Sequence, residues 1–87
     1  MAWTVSFEPR AFKEFDQLDR TIQRRMVSFL RRLQDADDPR KTGKPLRGEM
    51  RGLWRYRVGE YRIVCSVNDQ ALSVKVVRVG HRKSVYR

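Results

Sequence analysis

The sequence predicts an α+β domain of order β-α-α-β-β-β, a small antiparallel sheet with two helices packed on one face. Three observations predict it. Apolar residues alternate at the start of the chain, recur every three or four residues through the next third, and alternate again from Leu53 to Val77. Strand, helix pair and meander in that order give helices segregated to one face of a sheet. With 87 residues the chain is expected to be one domain, 1–87.

Trp3, Val5 and Phe7 alternate with Thr4 and Ser6, a first strand with one buried face. Glu8-Pro9 opens a helix, because proline in the first turn gives up only an N–H that has no partner there. Ala11, Phe12, Phe15 and Leu18 form its apolar stripe. Asp19 is placed to cap a second helix. There Ile22, Met26, Phe29, Leu30 and Leu33 share one face, and Arg24, Arg25, Arg31 and Arg32 the other. Both apolar stripes read as core. Asp37-Asp38-Pro39 ends the helix, since the residue before proline avoids the helical region. A loop then runs to about Pro45.

The period becomes two at Leu53. Gly59-Glu60 makes a two-residue turn with glycine first, as a type II′ hairpin prefers. That loop sets Val58 opposite Tyr61, Arg57 opposite Arg62, Tyr56 opposite Ile63 and Arg55 opposite Val64. A second two-residue turn at Asn68-Asp69 would set Ile63 opposite Val74 and Arg62 opposite Lys75. In this register Trp54, Tyr56, Val58, Tyr61, Ile63, Cys65, Leu72, Val74 and Val76 face the helices. Arg55, Arg57, Arg62 and Lys75 take the open face with Val64, Val77 and small serines. Like charges set directly opposite destabilise a sheet. No carboxylate is expected on that face, so a polyanionic ligand accounts for the arrangement better than folding does.

Charge distribution agrees. Residues 1–43 hold nine Lys/Arg and seven Asp/Glu, and residues 44–87 hold eleven and three. A one-sided basic field draws polyanions. Apolar residues make up 40% of the chain. A chain this short buries only about 60–65% of its unfolded surface, which leaves no room for a deep cavity. Cys65 is the one cysteine, so no internal disulfide forms, which fits a reducing cytoplasm. No apolar run is long enough to cross a membrane, and no signal peptide or membrane association is expected. No His/Cys/Asp/Glu set has metal-ligand spacing, so neither a metal nor another cofactor is expected.

Lys44-Pro45-Leu46-Arg47-Gly48, Trp54-Arg55-Tyr56-Arg57-Val58, Tyr61-Arg62-Ile63-Val64, Val79-Gly80-His81-Arg82 and Val85-Tyr86 together resemble the RelE family of type II toxins, over essentially the whole chain. The resemblance implies a ribosome-dependent nuclease. It would cut mRNA in the ribosomal A site by attack of a ribose 2′-OH on the adjacent phosphate, and a RelB-like antitoxin would silence it. It implies Arg55, Arg57, Arg62, Arg82 and Tyr86 as site residues. Lys44, Arg47, Arg51, Lys75 and Lys83 are candidates for RNA contact. One well-known form of the family carries lysines where this chain has Arg55 and Arg57. Arginine does not lose its proton at reachable pH, so the acid and base are open. Tyr86 is suited to stack on a base or to take the 2′-OH proton. His81, the one histidine, is a further candidate for proton transfer. Two rival readings are a ParE-like toxin that poisons gyrase and a non-catalytic RNA-binding module.

Overall fold

The computed structural model describes residues 2–86. Strand β1 (Thr4–Phe7) leads into helices α1 (Pro9–Asp16) and α2 (Arg20–Asp35). A 3₁₀ turn, a short strand β2 (Lys44–Pro45) and a second 3₁₀ turn follow, and then β3 (Trp54–Val58), β4 (Tyr61–Asn68) and β5 (Ser73–His81). Pro9 occupies the first turn of α1 after an extended Glu8. The Asp19 carboxylate accepts a hydrogen bond from the Ile22 N–H at 3.0 Å, which satisfies an otherwise orphan donor of α2. Ala36 is already extended, so α2 stops before Asp38-Pro39.

The strands lie in the order β1-β5-β4-β3-β2. β1 runs parallel to β5 while all other pairs are antiparallel, so the sheet is mixed rather than purely antiparallel. Period-two patterning cannot tell these pairings apart. The long connection between β1 and β5 is what permits a parallel one. The core between sheet and helices holds Trp3, Met26, Leu30, Leu33, Tyr56, Ile63, Cys65, Val74 and Val76. Phe12 departs from its expected place: it is 54% exposed, leaning edge-on against Phe7.

The first hairpin has the expected register, Arg57 opposite Arg62 and Arg55 opposite Val64. Gly59 sits at φ 60° and Glu60 does not take positive φ, in keeping with type II′. The second hairpin differs. Asn68 pairs with Ser73, so Asp69-Gln70-Ala71-Leu72 forms a longer loop. The Asn68 carboxamide oxygen accepts the Ala71 N–H at 3.1 Å, which holds that loop open. Leu72 takes φ 49° and is 46% exposed, not core. A bulge then shifts the pairing from Cys65–Val76 to Val64–Arg78, which leaves Val77 unpaired. The longer loop sets Lys75 opposite Ser66, and beyond the bulge Ile63 faces Val79 and Arg62 faces Gly80.

Val64 and Val85 are fully buried outside the helix-side core. A Cβ on Gly80 would lie 3.6 Å from the Val85 Cβ, so the chain after β5 folds back over this glycine. The face expected to be open is therefore partly covered by the C-terminal segment. Met50 and Leu53 line one groove with Val77 and Arg78, so the segment before β3 covers another part.

Candidate functional site

The β3–β4 hairpin sets the frame. Strand alternation aims Arg55 and Arg57 away from the helices, because Tyr56 and Val58 between and after them are buried on the helix side. Arg55 is half-buried, and its Nε is enclosed without a hydrogen-bond partner among the described residues. Lys44 on β2 lies opposite Arg55 and so shares its face. Arg57 is exposed and directly opposite Arg62.

Arg62 is held by its own turn. One guanidinium nitrogen donates to the Gly59 carbonyl at 3.0 Å and to the Tyr61 carbonyl at 2.8 Å. Burial pushes the Arg62 pKa down. The positive charges of Arg57, Arg55 and Arg82 push it further the same way, and the Tyr86 phenol opposes them. These five side chains therefore lie in one electrostatic neighbourhood. Arg82 follows β5 and is fixed by its backbone N–H, which donates to the Glu60 carbonyl at 2.9 Å. Its guanidinium pairs with the Glu60 carboxylate at 2.5 Å, and both side chains are largely exposed. Tyr86 is 43% exposed.

The structure thus brings together Arg55, Arg57, Arg62, Arg82 and Tyr86, with Lys44 alongside. It does not bring Lys75 with them. Lys75 pairs with Ser66, four residues along β4 from Arg62 and so roughly 13 Å away. Arg47 and Arg51 bracket the 3₁₀ turn Gly48–Met50 and are exposed, as is Lys83 in the tail.

His81 is set apart as well. It pairs with Tyr61, a helix-side residue, and lines a groove with Glu14, Gln17 and Leu18 beside α1. Its Nδ1 accepts the Lys83 N–H at 3.2 Å, and its ring meets Tyr61 edge-on at 5.5 Å. The bulge at Val77 explains this correction, because the extra residue moves residues 79 and 81 onto the helix side and 80 onto the arginine face.

Two carboxylates missed by the sequence reasoning matter here. Glu60 supplies a counter-ion to the cluster, which was expected to have none. Only the true β4–β5 register brings residue 82 beside the first turn, so no local signal could have found the pair. Glu14 on α1 receives Arg78 Nε at 3.0 Å and the Val79 N–H at 2.9 Å, which pins the stretch of β5 beyond its pairing with β1 to the helix. Burial raises the Cys65 thiol to about 12, which keeps it from being a nucleophile. No group of three or more His, Cys, Asp or Glu side chains converges among the described residues, and no helix is long and apolar enough to cross a membrane.

Four guanidinium groups on a shallow face can hold two or more anionic oxygens in bidentate geometry and stabilise charge that develops on them. Comparison with known proteins agrees with the fold that carries this face. The family model described as ParE toxin of type II toxin-antitoxin system, parDE, matches residues 5–86. Toxin RelG of Mycobacterium tuberculosis is 34% identical over 88 residues, which cover 100% of this chain and 99% of that protein. The toxin–antitoxin complex RelBE2 of M. tuberculosis contains a chain that superimposes with a TM-score of 0.83 at 33% identity, over 93% of this chain and 92% of that one. The intact E. coli RelBE toxin–antitoxin complex gives 0.76 at 27% identity, over 92% and 96%. By full-length sequence similarity and by fold, this chain belongs to the RelE/ParE superfamily of toxins of type II toxin–antitoxin systems.

Proposed function

We propose that this toxin is a metal-independent, ribosome-dependent endoribonuclease of the bacterial or archaeal cytoplasm. It cuts mRNA in the ribosomal A site and so inhibits translation, and a RelB-like antitoxin holds it silent. The observation that carries this reading is the convergence of Arg55, Arg57, Arg62 and Arg82 with Tyr86 on one face of the sheet. Two of the four stand directly opposite each other, which costs fold stability and gains nothing without an anion.

In the proposed reaction the ribose 2′-oxygen bonds to the adjacent phosphorus and the P–O5′ bond breaks. The 2′-OH proton leaves to a base and the departing 5′-oxygen gains one. The products are a 2′,3′-cyclic phosphate and a 5′-OH. The guanidinium groups stabilise the pentacoordinate phosphorane, whose negative charge exceeds that of the ground state. Arg55 and Arg62 are pre-set by burial and by backbone hydrogen bonds. Arg82 must exchange Glu60 for phosphate. Tyr86 is assigned the proton-transfer or base-stacking role. His81 is left out, because its Nδ1 is already occupied and its ring faces α1. Lys44 adds charge at the cluster's edge, and Arg47, Arg51 and Lys83 extend the RNA contact.

Mapping of mRNA ends in a translation extract tests the reading. Wild type should create new 5′-OH ends within codons at the A site, and Arg82→Ala should remove most of them. Intact message in the presence of folded wild type would sink it. A gyrase-poisoning toxin is the second reading, favoured by the family model's ParE description. It predicts double-strand DNA cleavage that depends on gyrase, with mRNA untouched.

A further inference from the structure

We propose a second phosphate-binding site on α2, which guides the RNA strand around the edge of the sheet to the catalytic face. It is a groove of about 460 Å³ between α2 and β3, lined by Arg24, Arg25, Ser28, Phe29, Arg32 and Arg57. Arg24, Ser28 and Arg32 follow one another at i, i+4 and i+8, so they stand on one ridge of the helix. β2 pairs with β3 only at Trp54 and Arg55, which leaves the Arg57 end of β3 as an open edge beneath that ridge.

Several features mark this as a built site rather than a solvated helix face. Among the described residues no carboxylate lies within ion-pair distance of Arg24, Arg25, Arg32 or Arg57, so their charge is available to an anion. Two of the arginines are held in place. The Arg25 guanidinium fits against Gly59, where a Cβ would come within 2.9 Å of it. The Arg32 guanidinium stands 5.7 Å from the centre of the Phe29 ring, which itself packs on Tyr56 at 5.4 Å. Arg57 belongs both to this groove and to the charge field of Arg62, so the two sites form one continuous positive track. Phe29 is largely covered and Val58 buried. The groove therefore offers cations and a hydroxyl and little apolar floor, which suits a sugar-phosphate backbone better than an acidic amphipathic peptide.

The inference rests on the nuclease reading only for the identity of the polyanion as RNA. Its test is an anisotropy titration of the full chain with 2′-O-methyl oligoribonucleotides, which cannot be cut. A trimer fills the sheet face alone, and a nonamer reaches the groove. Wild type should bind the nonamer about tenfold more tightly than the trimer. Arg24→Gln/Arg32→Gln should lose that gain and keep the trimer affinity. The slope of log K against log salt for the nonamer should fall by about 1.4, for two phosphates on a single strand. Arg24→Lys/Arg32→Lys should restore most of the slope. Nonamer affinity unchanged in the Gln variant would overturn the site. So would unchanged RNA binding with loss of the cognate antitoxin, which would make the groove a protein interface. Should wild type leave mRNA uncut while the length-dependent gain persists, the nuclease reading alone would fall.

Discussion

Arg57 and Arg62 face each other as a directly opposed pair across the β3–β4 hairpin, and neither has a carboxylate partner among the described residues. Arg62 is tied to the carbonyls of Gly59 and Tyr61, whereas Arg57 is exposed. The pair separates stability from function. Arg57→Gln removes a like-charge contact, so the fold should keep or gain a few tenths of a kcal/mol. Cleavage should fall by about 10²–10³, as expected when one preorganised group that stabilises the transition state is lost. Thermal melts beside single-turnover cleavage on programmed ribosomes check both. A cleavage loss matched by a lower melting temperature would mean that Arg57 serves the fold.

Glu60 and Arg82 form an ion pair that an RNA phosphate would have to replace under the proposed nuclease reading. Both side chains are largely exposed, so the pair contributes little to stability, about 0–1 kcal/mol. Its consequence is competitive: the carboxylate occupies the guanidinium that a phosphate would take. Glu60→Gln should lower KM for mRNA on the ribosome several-fold and leave kcat near wild type. Weaker RNA binding in this variant would show that Glu60 positions Arg82 rather than competing for it.

The sequence signals were strong where local chemistry dictates geometry. Pro9, Asp19 and the Gly59-Glu60 turn each act within a few residues, so both helix starts and the first hairpin register were readable. The second hairpin was not. Asn68 reads as a tight turn, but its carboxamide caps a longer loop instead. The bulge at Val77 then inverts which residues of β5 face the helices. The longer loop alone carries Lys75 away from Arg62, and the bulge then turns His81 to the α1 side and helps bring Arg82 beside Glu60. A bulge is a tertiary compromise with no composition signature. The longer loop therefore displaced Lys75 and the bulge displaced His81, while Arg55, Arg57 and Arg62 stayed as expected.

Tyr86 and His81 can be distinguished as proton carriers. Tyr86 lies in the field of Arg62, and His81 stands on the other side of the sheet with Nδ1 engaged by the Lys83 N–H. Tyr86→Phe keeps the ring for stacking and removes the hydroxyl. It should slow single-turnover cleavage by about 10² with KM unchanged. His81→Asn should stay within threefold of wild type. Reversal of these two outcomes would return the acid–base role to His81.

Cys65 gives a pH prediction. Burial raises its thiol from the ordinary 9.0 to about 12. Above pH 9 the unfolded chain releases this proton and the folded chain keeps it, so the unfolded state binds fewer protons and stability falls as pH rises. The contribution is complete below about pH 9 and is lost as pH approaches 12. Burial shifts the Tyr56 hydroxyl the same way, which adds to the alkaline loss. Melting temperature should hold to pH 9 and then decline, and a thiol reagent at pH 8 should label Cys65 only after denaturation. Rapid labelling of the folded protein would contradict the burial.

Tyr56 anchors the loop that follows α2. Its hydroxyl donates to the Pro39 carbonyl at 2.9 Å inside the core, and a Cβ at Gly43 would come within 2.8 Å of its ring. Tyr56→Phe leaves that carbonyl buried without its partner, which should cost about 1–3 kcal/mol. Gly43→Ala forces the ring or the Arg55 backbone to move, and should cost about as much through overpacking. The two changes strain one contact, so the double variant should lose less than the sum of the single losses. A chemical-denaturation cycle measures this coupling. Because β3 carries Arg55 and Arg57 on either side of Tyr56, both variants should also slow cleavage while Arg62 keeps its hydrogen bonds to the turn. Strict additivity, or full cleavage in a destabilised Gly43→Ala, would show that the loop is anchored independently of the site.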